Sequence, residues 1–140
     1  MKVHESLLFR LDPETKAIAR VALEAIGREP TESYRGKTDF MLVYGTEEQV
    51  AALKPDMDDL AMVPARGVIV TAPGRDADFC SRFFAPKFGV AEDPVTGSSH
   101  CELAPYWAAR LGKTTLQARQ ISKRGGDVLC ELRGDRVTLT

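Results

Sequence analysis

An apolar helix with almost no polar face constrains this chain more than any other feature. In Leu103-Ala104-Pro105-Tyr106-Trp107-Ala108-Ala109-Arg110-Leu111, the residues Leu103, Tyr106, Trp107, Ala108 and Leu111 leave little polar surface. Such a helix has to be enclosed, as when a sheet wraps around it. Pro105 limits how it can start. A proline in a helix interior costs ~3 kcal/mol unless it lies in the first turn. The first helical residue is therefore expected near Cys101 or Glu102, or else a kink at Pro105. Tyr106 and Trp107 are expected to pack in the core. Gly112 followed by Lys113 reads as a C-cap. The Gly112-Lys113-Thr114-Thr115 string imitates the end of a phosphate-binding P-loop, but that pattern needs glycine where Trp107 stands.

The stretch ahead of the helix, Glu92-Asp93-Pro94-Val95-Thr96-Gly97-Ser98-Ser99-His100-Cys101, is a polar turn that runs straight into it. A helix start gathers unpaired N–H groups and the positive end of the helix dipole, so it can hold a carboxylate or phosphate. Pro94 stiffens the approach, and Gly97 allows either close approach of a ligand or a positive φ. Ser, Thr and Asp before an apolar run are also ordinary N-cap residues, a reading that needs no ligand.

Elsewhere the periodicities change along the chain. Met1 to Leu11 has no strong period and reads as a strand remnant or a frayed end. Asp12-Pro13-Glu14 followed by Ile18, Val21, Ala22, Ala25 and Ile26 predicts a helix that Gly27 ends. A polar loop follows. Phe40 to Val43 is an unbroken apolar run, which predicts a strand buried on both faces. Thr46-Glu47-Glu48-Gln49 is a capping box for a short helix stopping before Pro55, and a short acidic helical turn, Pro55 to Leu60, comes next. Gly67 to Ala72 is the clearest strand. Its neighbour, Asp78 to Ala85, places Phe79, Ser81, Phe83 and Ala85 on one face and Cys80, Arg82 and Phe84 on the other. Arg82 is then either a snorkelling edge residue or a charge aimed into a cleft. Leu116 to Ser122, Val128 to Leu132 and Arg136 to Leu139, separated by Gly125-Gly126 and Gly134-Asp135, predict an antiparallel meander. Six strands and two or three helices without a strict βαβ rhythm make a single α+β domain over 1–140.

A chain of 140 residues can bury roughly two-thirds of its unfolded surface, enough for a core. The net charge of −1, with Lys and Arg scattered, gives no broad basic surface for nucleic acid or membrane. No apolar run approaches a membrane span and the N-terminus lacks a signal-peptide core, so the cytoplasm is the expected location. Cys80, Cys101 and Cys130 are odd in number and widely spaced, which fits reduced, mostly buried thiols. His100 beside Cys101 is a poor chelate, so no metal is expected.

The run from Glu92 to Lys113, with Ser81-Arg82-Phe83-Phe84-Ala85-Pro86 upstream and Gln120 to Gly126 downstream, resembles the second half of the PhzF-like phenazine-biosynthesis isomerase family. The likeness is good from about Thr38 to Thr140 and poor over residues 1–37. It implies the diaminopimelate epimerase-like fold, a strongly bent mixed or antiparallel sheet around a central helix, here about Cys101 to Leu111. It also implies a proton shift on a small carboxylated metabolite, with no metal or organic cofactor. Asp93 and Ser98 are the catalytic candidates by resemblance. Gly97, Ser98, Ser99 and His100 are the substrate-binding candidates. Cys101 reads as a small core residue rather than a catalytic thiol. The family places its main proton-transferring glutamate in the other domain, and nothing in Met1 to Lys37 matches it. Glu32 is expected in a polar loop without apolar surroundings to raise its pKa.

Three readings follow. The chain is half of an isomerase that becomes competent with a complementary domain; or it is a non-catalytic homo-oligomer that binds small carboxylates or keeps a vestigial turn; or two copies form a symmetric dimer that sets one Asp93 across from the other. A half-cleft should expose apolar surface, which favours self-association as a homodimer.

Overall fold

Among the described residues, eight strands make one sheet in which each strand pairs with its neighbour in chain order. A computed structural model describes residues 9–10, 20–36, 38–63, 65–89 and 91–140. The strands are β1 (Phe9–Arg10), β2 (Glu32–Arg35), β3 (Asp39–Val43), β4 (Gly67–Pro73), β5 (Phe79–Phe84), β6 (Thr115–Gln120), β7 (Gly126–Arg133) and β8 (Arg136–Leu139). The helices are α1 (Arg20–Ile26), α2 (Glu47–Ala51), α3 (Met57–Leu60) and α4 (Gly97–Leu111). The Asp12-Pro13-Glu14 helix start lies outside the described residues.

Pairing is antiparallel except at β3–β4 and β5–β6, which are parallel. A parallel pair needs a crossover, and crossovers are right-handed. Because β4 and β5 run antiparallel, chain direction reverses between the two crossovers. The same hand then puts α2 and α3 on one face and α4 on the other. Core composition follows this division. Phe40, Leu42, Val68, Val70, Cys80 and Phe84 pack with Val50 of α2 and Leu60 of α3. Met41, Val43, Ile69, Phe79 and Phe83 pack with Leu103, Ala104, Trp107 and Ala108 of α4. The predicted two faces of β5 are therefore correct, and all of β3 is buried.

The α4 cluster draws on every strand from β3 to β8, ending at Leu116, Ala118, Val128, Cys130 and Val137. Six flat strands would span about 24 Å, against about 10 Å for a helix. One helix can share a core with all of them only where the sheet curves around it. Trp107 anchors this core, stacked on Phe79 at 5.9 Å between ring centroids and donating from Nε1 to Thr71 Oγ1 at 3.0 Å. All three cysteines are buried, and burial pushes the Cys80 and Cys130 thiols up to about 12.

Four expectations need correction. Helix α4 begins at Gly97, so Pro105 lies well inside it. The proline has no N–H for the Cys101 carbonyl, but Leu103, Ala104, Trp107 and Ala108 are all buried around it, and that packing outweighs the ~3 kcal/mol penalty. Eight strands are present among the described residues, two more than expected: β1 fits the strand-remnant alternative near the N-terminus, and β2 stands where a loop was expected. Glu32 belongs to β2 rather than a loop, and its side chain is hydrogen-bonded to Tyr34, to Tyr106 at 3.1 Å and to Arg110. Arg82 is neither at an edge nor aimed into a cleft, since β5 has a neighbour on each side. Its Nη1 donates to the carbonyls of Val50 and Leu53 at the end of α2 (2.9 and 2.8 Å), while Nε and Nη2 clasp Glu92.

Candidate functional site

The polar turn is built from outside itself. Gln120, at the end of β6 and 0% exposed, sends its whole side-chain amide into the turn. Its Oε1 accepts from the Thr96 N–H at 2.7 Å, and its Nε2 donates to the Asp93 carbonyl at 2.8 Å and to Thr96 Oγ1 at 3.0 Å. Ser122 donates to the Pro94 carbonyl at 2.8 Å and accepts from the Gly125 N–H at 3.0 Å. Val95 lies so close to Gly126 that a Cβ there would come within 2.2 Å of it. Arg82 fixes the other end through Glu92, at 2.9 Å from both Nε and Nη2.

Thr96 is the N-cap residue of α4, yet its side chain caps nothing. Its hydroxyl instead donates to Asp93 Oδ2 at 2.7 Å. The first-turn N–H groups of a helix have no intrahelical acceptor, so this 15-residue helix reaches the surface with its positive end uncapped by Thr96. Asp93 and Ser98 are half-buried there and Gly97 is exposed. Gly97 does not have a positive φ. A Cβ on it would meet nothing nearer than Leu139 Cδ1 at 3.9 Å. Neither backbone conformation nor crowding from the described residues requires glycine at that point.

Ser99 and His100 turn inward instead. Ser99 is 1% exposed and donates to the Thr96 carbonyl at 3.2 Å. His100 is 0% exposed, with Nδ1 at 2.6 Å from the same carbonyl. A carbonyl only accepts, so Nδ1 carries the proton of a neutral ring, and burial holds the pKa below its ordinary value. His100 Nε2 has no hydrogen-bond partner among the described residues. The structure thus brings Asp93, Gly97 and Ser98 together at the surface and leaves Ser99 and His100 beneath them.

A polar cluster not marked in the sequence lies against Ser98. Arg66, just ahead of β4, donates from Nη2 to Ser98 Oγ at 2.9 Å. The same guanidinium forks onto Asp39, with Nε–Oδ1 at 3.1 Å and Nη2–Oδ2 at 2.6 Å. That carboxylate raises the Arg66 pKa further. One helical turn below Ser98, Glu102 is 4% exposed, and burial beside Asp39 raises its carboxyl to about 8. Its Oε1 fills the space where Gly36 has no Cβ. Glu102 stays neutral at pH 7 on that account. Among the described residues, no His, Cys, Asp or Glu group has the arrangement of a metal site, and no helix is long and apolar enough to cross a membrane.

Comparison with known proteins meets this geometry directly. The family model for phenazine biosynthesis-like proteins matches residues 10–139. The chain belongs to the phenazine biosynthesis-like, or PhzF, family. Within the PhzF family, an uncharacterised isomerase of Pseudomonas aeruginosa is 55% identical over 117 residues, covering 83% of this chain and 44% of that protein. The crystal structure of a PhzF-family protein from Enterococcus faecalis superposes with a TM-score of 0.82 at 38% identity, over 96% of this chain and 53% of that one. A PhzC/PhzF protein from Clostridium difficile gives 0.80 at 35% identity, over 100% and 54%. The sheet wrapped around α4 is thus the fold of PhzF-family structures. The chain spans about half the length of the curated relatives it matches, 44% and 49% in the two Pseudomonas isomerases.

Proposed function

We propose that this chain supplies one wall of a cytoplasmic PhzF-type isomerase cleft. In this reading the α4 turn binds a small carboxylated metabolite and supports a proton shift without metal or organic cofactor. Asp93 and Ser98 are the reacting-side groups. Gly97 and the amides of Ser98 and Ser99 receive the negative charge that develops beside the acidified C–H. His100 supports the turn from below through Thr96. The observation that carries the reading is Gly97, a surface glycine that nothing among the described residues requires, at the uncapped start of α4 beside Asp93 and Ser98. An absent Cβ there leaves room for a ligand at the amides.

The opposing wall has to come from a complementary domain or a second copy. Glu32 is already engaged by Tyr106 and Arg110, which favours an external general base. It equally suits a second reading, a non-catalytic homo-oligomer that binds carboxylates. Proton exchange separates the two. The full chain is incubated in D2O with a panel of small unsaturated carboxylates, alone and with the N-terminal half of the Pseudomonas isomerase added, and C–H exchange is followed by NMR. Exchange only in the mixture, abolished by Asp93→Asn, is the expected result. Exchange by the lone chain would exclude the need for a complementary domain and leave the symmetric dimer. Carboxylate-induced shifts at Gly97 to Ser99 without any exchange would leave binding alone.

A further inference from the structure

The hydroxyl at the mouth of the site is held from behind. Ser98 Oγ accepts from Arg66 Nη2 at 2.9 Å, and Arg66 has little freedom of its own. Two parallel bonds to Asp39, at 3.1 and 2.6 Å, fix both the position and the plane of the guanidinium. Asp39 opens β3 in the middle of the sheet and is 2% exposed. The Phe83 ring lies beneath the guanidinium, its centroid 5.5 Å from Cζ. The pair with Asp39 would be complete without Ser98. The additional bond goes to Ser98, in the first turn of α4 beside Gly97.

A serine hydroxyl accepts on its oxygen and donates a single proton. With Arg66 donating to the oxygen, the Ser98 proton points away from the guanidinium. Building on the reading of the α4 turn as a carboxylate site, we propose that Arg66 is its positioning residue: it acts through Ser98, fixes one rotamer and makes the hydroxyl a donor to the ligand. Its role is orientation rather than charge, because Asp39 balances the guanidinium.

The test uses the full chain, isotope-labelled, with sodium benzoate as the carboxylate probe. Two quantities are followed by NMR: the Hα–Hβ couplings of Ser98, which report its rotamer without any ligand, and the shifts of the Gly97, Ser98 and Ser99 amides during titration. In the native chain the two couplings take the limiting values of a single rotamer rather than the averaged one. Arg66→Lys keeps the positive charge but cannot serve Asp39 and Ser98 together, so the couplings average and benzoate binds about tenfold more weakly, the weight of one hydrogen bond. Ser98→Ala loses as much, and the double variant loses no more than either single one, as for residues acting as a unit. Asp39→Asn, with Arg66 intact but loosened, averages the couplings too, and it serves where Arg66→Lys fails to fold.

Unchanged couplings in both variants would overturn the proposal, as would losses that add in the double variant. A flat titration of the native chain would instead overturn the carboxylate reading of the turn. The couplings would still decide whether Arg66 sets Ser98.

Discussion

The two crossovers of the sheet are made in opposite ways. Between β3 and β4 the chain uses two short helices, each closed by its own side-chain cap. Thr46 accepts from the Gln49 N–H at 3.2 Å, and Asp56 accepts from the Asp59 N–H at 3.1 Å. Between β5 and β6 it uses one long helix, whose N-cap residue spends its hydroxyl on Asp93 instead. Helices of five and four residues cannot hold themselves and depend on such bonds. Helix α4 shares a core with six strands and draws its stability mainly from that packing. A helix secured by its sides can leave its start open, and that is where the candidate site lies.

Removing the external support of the open turn should have the largest effect. Gln120→Leu leaves the Thr96 N–H and the Asp93 carbonyl without partners in a buried place, which should cost about 3–5 kcal/mol. Urea unfolding measures it, and a loss below about 1 kcal/mol would show that the turn holds its own shape. Next is the carboxyl hidden on the α4 side. Glu102 has a folded pKa of about 8 against an ordinary 4.5, so the folded chain keeps a proton that the unfolded chain has released. The stability from this group is full below about 4.5 and falls as pH rises towards 8, on the order of 3 kcal/mol by pH 7. Glu102→Gln should flatten that slope in unfolding curves taken from pH 5 to 8.5. An unchanged slope would place the titration elsewhere.

Smaller effects sharpen the contrast in capping. Asp56→Ala should cost about 1 kcal/mol, the usual value of a side-chain cap. Gly97→Ala should do the opposite, raising stability by about 0.5–1 kcal/mol through helix propensity while weakening carboxylate binding. A gain in stability with binding intact would remove the functional reason for the glycine.

Much of the sheet was legible because its signals are local. Alternation assigned the two faces of β5, and the glycines at 125 and 134, both at positive φ, marked the turns of the β6–β8 meander. What escaped had partners far along the chain. Glu-Ser-Tyr-Arg reads as a loop until β3 pairs with it. The start of α4 was placed too late because Pro105 was weighed against helix propensity, while the core that overrides propensity comes from six strands. At the candidate site, Asp93, Gly97 and Ser98 lie in one contiguous string of sequence. Arg66 and Gln120, which hold that string in shape, bond to it across 32 and 24 residues and carry no motif of their own.

Strand order that equals chain order also bears on how the molecule assembles. No strand has to be threaded between two others already paired, so each can dock on the open edge left by the one before it. The closures that span more than a tight turn include the two crossovers, and of these the β5–β6 one has to wait for α4 to be covered. During synthesis the β1–β5 portion can therefore pair before α4 emerges, with its α4-facing side bare until α4 packs on it. An apolar surface left open in this way is prone to aggregation, and Leu116, Ala118, Val128, Cys130 and Val137 of the meander complete the core around α4.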